Sequence, residues 1–561
     1  MEALIDIRNL LHIKESRLSV TLGLFLIFLG LLYWYSIYPF AVLSRCGIKH
    51  PKPTPFFGNI FMFRQGFFYP LTDLIKKYGR VCGYYIGRRP VVLVADPDML
   101  RQMMVKDFNM FPNRVVLRTF TKPMCDCLIM LRNERWRRVR SILTPSFSAA
   151  KMKEMVPLIN TAVNVLMNNL GVYADSQEAF NIHKCFGCFT MDVIASVAFG
   201  TQLDSQNNPD DPFVCYSQMF FSFSFFRPII LFLLAFPFIA TILERLIPNK
   251  KREEMNQFFI NSIQEIIRQR EEQPPEERRR DFLQLMLDAR TSGECEPMEY
   301  FDAVNLADEF DHKNQQTQPL ASEEENRLHP QQQHTRRPQK KITDDEIVGQ
   351  AFVFLLAGYE TSSSTLAFTC YLLAIHPECQ SKVQEEVDDF FTRHESPDYS
   401  NVHDLKYLDM VISESLRLYP PGFRFGRHID HDCVVNGQFL PKGVSLEIPV
   451  SFLHYDPEHW PEPERFIPER FTPEAKASRH PFVYLPFGAG PRMCIGIRLA
   501  QLEIKMTLVR LFQRFTLVAC SETEVPLELK ATTTLGPKNG IYVKIHRRNL
   551  EQDPAKSSTD Y

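Results

Sequence analysis

The 561-residue chain is predicted to be mainly α-helical with small β-sheets, hung from an N-terminal transmembrane helix. Three features carry that expectation. Residues 18–44 hold no charged side chain, and roughly 20 apolar residues are enough to span a bilayer. From Thr343 no proline intervenes until Pro377, which predicts a single helix of some 32 residues, about 48 Å long at 1.5 Å per residue. Segments with helical periodicity outnumber the few short β-branched runs.

Composition narrows the class further. With 45% hydrophobic and 23% charged residues, the chain has the balance of a packed globule and not of a disordered or collagen-like one. Lys plus Arg less Asp plus Glu is 64 − 66 = −2, so no net field draws it to nucleic acid. Thirteen cysteines, an odd number scattered along a long chain, do not make a disulfide framework and fit a reducing compartment. The 46 phenylalanines point to a bulky interior, and an excess of proline over glycine, 39 to 23, to many rigid corners.

Along the chain, residues 1–17 are read as a lumenal segment and 18–44 as a retained anchor, because no small-x-small cleavage site follows the apolar run. Tyr33, Trp34, Tyr35 and Tyr38 form an interfacial belt at its far end. Arg8, Lys14 and Arg17 before the span balance Arg45, Lys49 and Lys52 after it. The free cysteines therefore decide the orientation and place the bulk of the chain in the cytosol, on an endoplasmic reticulum membrane. Residues 45–56, with Pro51, Pro53 and Pro55, are predicted to be a semi-rigid hinge, and 57–548 one catalytic domain. Within it, the uncharged run 228–243 is either a buried core segment or a loop dipping into the bilayer beside a lipophilic entrance. Residues 308–341, almost devoid of apolar side chains, are expected to be a flexible surface insertion, and 549–561 a disordered tail. Helices are predicted at 136–143, 151–170, 407–419 and 497–515, and strands at 91–94 and 541–545.

The long central helix opens with a Thr343-x-x-Glu346 capping box and is apolar nearly all round between 352 and 365, as a helix through the core must be. Gly358 lies within it, at a cost of roughly 1 kcal/mol relative to alanine. Either something bulky is pressed against the helix there, or Gly358 serves helix packing beside a locally bonded Glu360–Thr361 pair.

The sharpest feature is Phe487-Gly488-Ala489-Gly490-Pro491-Arg492-Met493-Cys494-Ile495-Gly496, a tight loop ending in a cysteine just ahead of a helical pattern. The positive end of that helix favours thiolate over thiol and makes Cys494 a soft metal ligand. The string resembles the haem-binding signature of the haem-thiolate monooxygenases, the cytochrome P-450 superfamily, and the resemblance extends over residues 51–545. It implies the P-450 fold and haem b with Cys494 as axial ligand, cradled by Phe487, Gly488 and Gly490. Arg114, Trp136, Arg140, Arg424 and Arg492 match the family's propionate partners. Glu414, Arg417 and Arg470 match the buried network behind the haem, and Ala357, Gly358, Glu360 and Thr361 match the distal helix, with Gly358 making room above the iron.

Five further strings, among them 82–89, 420–425 and 535–540, are similar to the branch of that superfamily that isomerises prostaglandin H2 to thromboxane A2. The resemblance implies O–O scission at a thiolate-bound haem iron, side fragmentation to a hydroxyheptadecatrienoic acid and malondialdehyde, and no need of external electrons. Thr361 and Ser362 depart from that branch. An acid–alcohol pair at 360 and 361 suits the alternative, a microsomal monooxygenase of steroids, fatty acids or xenobiotics fed by a flavoprotein reductase. Thr361 could equally bond its own helix carbonyl. Cys185/Cys188 and Cys125/Cys127 lack a matching second pair and are expected to be core thiols, not zinc ligands. Neither a Gly-x-Ser-x-Gly elbow nor a His-Glu-x-x-His helix occurs.

Overall fold

The computed structural model describes residues 2–115, 121–222, 226–239, 249–291 and 341–548. The proposed insertion, apart from Lys341, and the proposed tail lie outside the described residues. The N-terminal helix runs Glu2–Ile37, and the apolar stretch Ser19–Arg45 is long enough to cross a membrane and almost bare of protein contacts. Its C-terminal end is tied down. Tyr35 donates its hydroxyl to Ala235 O at 3.2 Å, stacks on Phe236, and lies under the Arg88 guanidinium, 3.5 Å from the ring centroid. Tyr85 donates to Phe40 O at 2.9 Å and accepts from Leu43 N at 3.1 Å, so the hinge is pinned to the globule by a tyrosine on each side.

Of the two readings of residues 228–243, the described part does not support a core segment. Helix Pro228–Ala235 is short and leaves Ile229 and Phe232 exposed, and Phe238 beyond it is 62% exposed. These side chains join Phe61 and Met62 as exposed apolar groups near the foot of the anchor.

The central helix, Asp344–Ile375, starts at the expected capping box: Thr343 Oγ1 accepts from Glu346 N at 3.2 Å, and Glu346 Oε2 accepts from Thr343 N at 3.1 Å. It crosses the molecule packed against helix Ile182–Phe199, and nearly all its side chains are buried. Helices Lys406–Leu418 and Ile497–Arg514 pack on it, and helices Asn133–Leu143 and Ala149–Ser176 likewise match the periodic segments. The last ends one residue early because Phe515 begins a strand.

The sheets are small. A four-stranded sheet has the order Val81–Ile86, Arg89–Val94, Ser445–Ile448, Phe425–His428, antiparallel except between its two middle strands. Strands Leu529–Ala531 and Leu535–Pro537 form a separate antiparallel pair in which Lys530 faces Gly536. Tyr542–Arg547 lies between Phe180–Asn181 and Phe515–Val518.

Candidate active site

Cys494 ends a loop whose shape is set by backbone contacts. Its amide donates to Phe487 O at 2.9 Å, and Met493 N donates to Gly490 O at 2.8 Å. Gly490 has φ +67°, and a Cβ there would run into Met104 O, so only glycine lets the loop lie against the segment Gln102–Lys106. Arg492 and Met493 are buried, yet Cys494 is exposed. Desolvation nevertheless pushes its thiol pKa up, and the Gly496 amide, Arg140 and Arg114 work against that rise. Accessible and desolvated together, the sulfur opens on a space inside the fold.

Four guanidiniums gather beside this space: Arg114, Arg140, Arg427 and Arg492. Burial depresses Arg140 to about 10, Arg427 to about 9 and Arg492 to about 8, and their mutual repulsion adds to the effect. None of the four is paired with a carboxylate among the described residues, and Nε of both Arg114 and Arg427 is buried without a partner. Arg492 is held by the backbone. It donates to Pro112 O at 2.9 Å, Leu128 O at 3.2 Å and Leu131 O at 2.7 Å, and lies over the Trp136 ring at 4.1 Å. Arg140 donates to Met493 O at 3.1 Å, fastening helix Asn133–Leu143 to the cysteine loop. A buried cationic cluster of this kind is costly unless an anion completes it.

On the central helix Ala357 is exposed, although Leu356 and Tyr359 are buried. Thr361 donates its hydroxyl to Ala357 O at 2.8 Å, and Glu360 accepts from Thr534 Oγ1 at 3.4 Å. Burial raises the Glu360 carboxyl, opposed by Lys530 and Thr534.

Residues 48–545 match the Cytochrome P450 family model. The chain belongs to the cytochrome P450 family. It is 48% identical over 544 residues to Thromboxane-A synthase of Mus musculus, covering 97% of this chain and 100% of that one. To the Sus scrofa protein of the same name it is 48% identical over 528 residues, 94% and 97% of the two chains. Cytochrome P450 3A29 of Sus scrofa is 37% identical over 524 residues, 93% of this chain and 95% of that relative. As a P450 the protein is a membrane-anchored haem-thiolate enzyme with haem b and a lipophilic small-molecule substrate.

The residues present fit that cofactor. The orphaned guanidinium nitrogens call for an anion such as a pair of propionates, and the accessible cysteine supplies the soft ligand. Arg424, Arg492 and Gly358 each have partners besides those expected of them. Arg424 does not join the arginine cluster: it pairs with Glu447 at 3.2 Å and stacks on Phe67, while Arg427 takes the place by Arg114. Glu447 is buried and already accepts from Tyr84 at 2.7 Å, so it captures the nearer guanidinium. Arg492 gives one N–H from each of its three nitrogens to a backbone carbonyl and braces Trp136, which leaves two of its five N–H groups for an anion. Gly358 makes room for Ile194 of the neighbouring helix, whose Cγ1 lies 2.9 Å from where its Cβ would be, and it is Ala357 that faces open space. Glu360 and Thr361 likewise bond different partners and not each other.

Behind the cysteine loop, Glu414 and Arg417 are both fully buried and joined by bonds of 2.6 and 2.8 Å, with Arg470 at 3.4 Å, as the motif spacing predicted. Arg417 also donates to the carbonyls of His454, Pro463 and Arg465. His454, which the sequence did not single out, completes the route. Burial holds it near pKa 3 and so neutral; its Nδ1 bonds Arg417 O, and its Nε2 accepts from Leu485 N at 2.8 Å. Leu485 O in turn accepts from Gly488 N, inside the loop.

Proposed function

We propose that the protein isomerises prostaglandin H2 to thromboxane A2, with side fragmentation to a hydroxyheptadecatrienoic acid and malondialdehyde. The observation that carries this reading is identity of about half, across essentially the full length of both chains, to proteins named Thromboxane-A synthase. The site is consistent with it. Isomerisation consumes neither protons nor electrons, and the two groups best suited to deliver a proton are engaged elsewhere, Thr361 with Ala357 O and Glu360 with Thr534.

Bound haem supplies a thiolate-ligated iron, a combination that favours O–O bond cleavage. Cys494 is the ligand, and the Gly496 amide with Arg140 and Arg114 offsets the burial that disfavours its anion. Arg114, Trp136, Arg140, Arg427 and Arg492 would hold the propionates, and Phe487, Gly488 and Gly490 shape the loop. Ala357 leaves the open face on the distal side. In this reading residues 18–44 anchor the chain, 45–56 form the hinge and 57–548 the catalytic domain, on the cytosolic face of the endoplasmic reticulum. The exposed apolar side chains beside the anchor dip into the lipid, where so apolar a substrate concentrates.

The test is purified protein given prostaglandin H2 with neither reductase nor NADPH. Thromboxane is the expected product. Its absence, with turnover of a lipophilic substrate appearing only when reductase and NADPH are added, would overturn the reading in favour of a monooxygenase.

A further inference from the structure

Lys530 stands directly opposite Gly536 in the two-stranded pair, and cross-strand neighbours project to the same face. That face looks at the central helix: a Cβ on Gly536 would lie 3.6 Å from Glu360 Oε1 and 3.9 Å from Ser364 Oγ. The glycine thus leaves room for the lysine side chain between the strands and the helix. Ser364 Oγ is 3.3 Å from His183 Nε2, and Thr534 closes the other side through its bond to Glu360. Lysine, histidine, serine, threonine and glutamate from three separate elements therefore converge on one half-buried space. Its helix members, Glu360 and Ser364, lie about one and two turns along the helix from the exposed Ala357.

Lys530 and Glu360 feel each other's charge across this space, without a direct contact. Lys530 forms no ion pair among the described residues. Burial, with help from Lys530, lowers His183 to about 4 and leaves it neutral. Desolvation raises the Glu360 carboxyl, and Lys530 and Thr534 oppose that rise. A half-buried ammonium with no ion pair of its own, beside the hydroxyl of Ser364 and the imidazole of His183, is suited to a carboxylate. In the prostaglandin reading the complementary ligand carries a carboxylate at one end of a long apolar body.

We propose that Lys530, with Ser364, His183 and Thr534, forms the subsite for the carboxylate of a fatty-acid substrate and so fixes which end of the chain lies away from Ala357. This deepens the prostaglandin reading, since that substrate is such an acid, but it concerns binding and not the reaction.

The test compares a stable endoperoxide analogue bearing a free carboxylate with its methyl ester, each titrated against the haem-loaded, full-length protein by the shift in its haem absorption band. The acid is expected to bind the wild type about tenfold or more tighter than the ester, the scale of one charged hydrogen bond. Lys530→Gln should erase that preference by weakening the acid alone, with ester affinity unchanged, and Lys530→Arg should restore it. A wild type without preference for the acid, or a Lys530→Gln variant that keeps it, would overturn the proposal. Should the wild type prefer the acid yet fail to convert prostaglandin H2, the subsite stands and only the proposed reaction falls.

Discussion

Replacing Glu414 by glutamine removes one charge from a pair in which neither side chain touches solvent. Glutamine keeps the shape and an oxygen for the Ile467 amide, which Glu414 accepts at 3.0 Å. What is lost is the counter-charge to Arg417, whose remaining acceptors are three backbone carbonyls. Breaking a buried pair from one side costs about 3 to 5 kcal/mol. The retained hydrogen bonds place Glu414→Gln at the low end, about 3 kcal/mol, or ~150-fold in the folding equilibrium. The damage should also travel. Arg417 holds His454, His454 holds Leu485, and Leu485 holds Gly488 in the cysteine loop. Denaturant midpoint and haem retained after gel filtration are the assays, with Arg470→Gln as the reference. Arg470 sits at 3.4 Å and is less enclosed, so it should cost only about 1 kcal/mol. A Glu414→Gln loss below that of Arg470→Gln, with haem fully retained, would refute the reasoning.

Arg427→Gln should speed haem loss about tenfold or more, the scale of one charged hydrogen bond. Arg424→Gln should leave haem loss near the wild-type rate, as read by transfer to an apo-globin acceptor, because Arg424 is spent on Glu447. Thr361→Val should keep thromboxane formation from prostaglandin H2 within about threefold, since the lost hydroxyl bonds only its own helix; a fall of about a hundredfold would restore it to a proton-delivery role. His454, near pKa 3 when folded and 6.5 when free, binds its proton more readily in the unfolded chain. Its contribution is therefore intact above pH 6.5 and lost as pH falls from there towards 3, at up to about 1.4 kcal/mol per pH unit. Denaturation curves from pH 7 to 5 should show that slope, and His454→Gln should flatten it.

The cysteine loop was legible because its glycines and proline answer a local demand: Gly490 has a positive φ and no room for a Cβ. The central helix was legible because a capping box and a distant proline mark its ends. Glu414 and Arg417 were legible from their one-turn spacing. Position within a face was not. Arg424 and Arg427 both precede or enter the short strand Phe425–His428, and an odd separation in extended chain sends them to opposite sides. Which side met Glu447 depended on a strand twenty residues further on, Ser445–Ile448. The neighbour of Gly358, Ile194, was hidden for the same reason, since a helical pattern shows that a residue is buried but not against what. His454 and Lys530 gave no signal at all, because each takes its meaning from partners dozens to hundreds of residues away.

Everything in the site turns on sulfur from Cys494 reaching iron. The direct measurement is the absorption spectrum of the reduced protein under carbon monoxide, for the wild type and Cys494→His. The wild type is expected to show the strongly red-shifted band of a thiolate opposite the gas, and the variant the shorter-wavelength band of a nitrogen ligand. A wild-type spectrum of the nitrogen type, or a red-shifted band that survives in Cys494→His, would contradict the account.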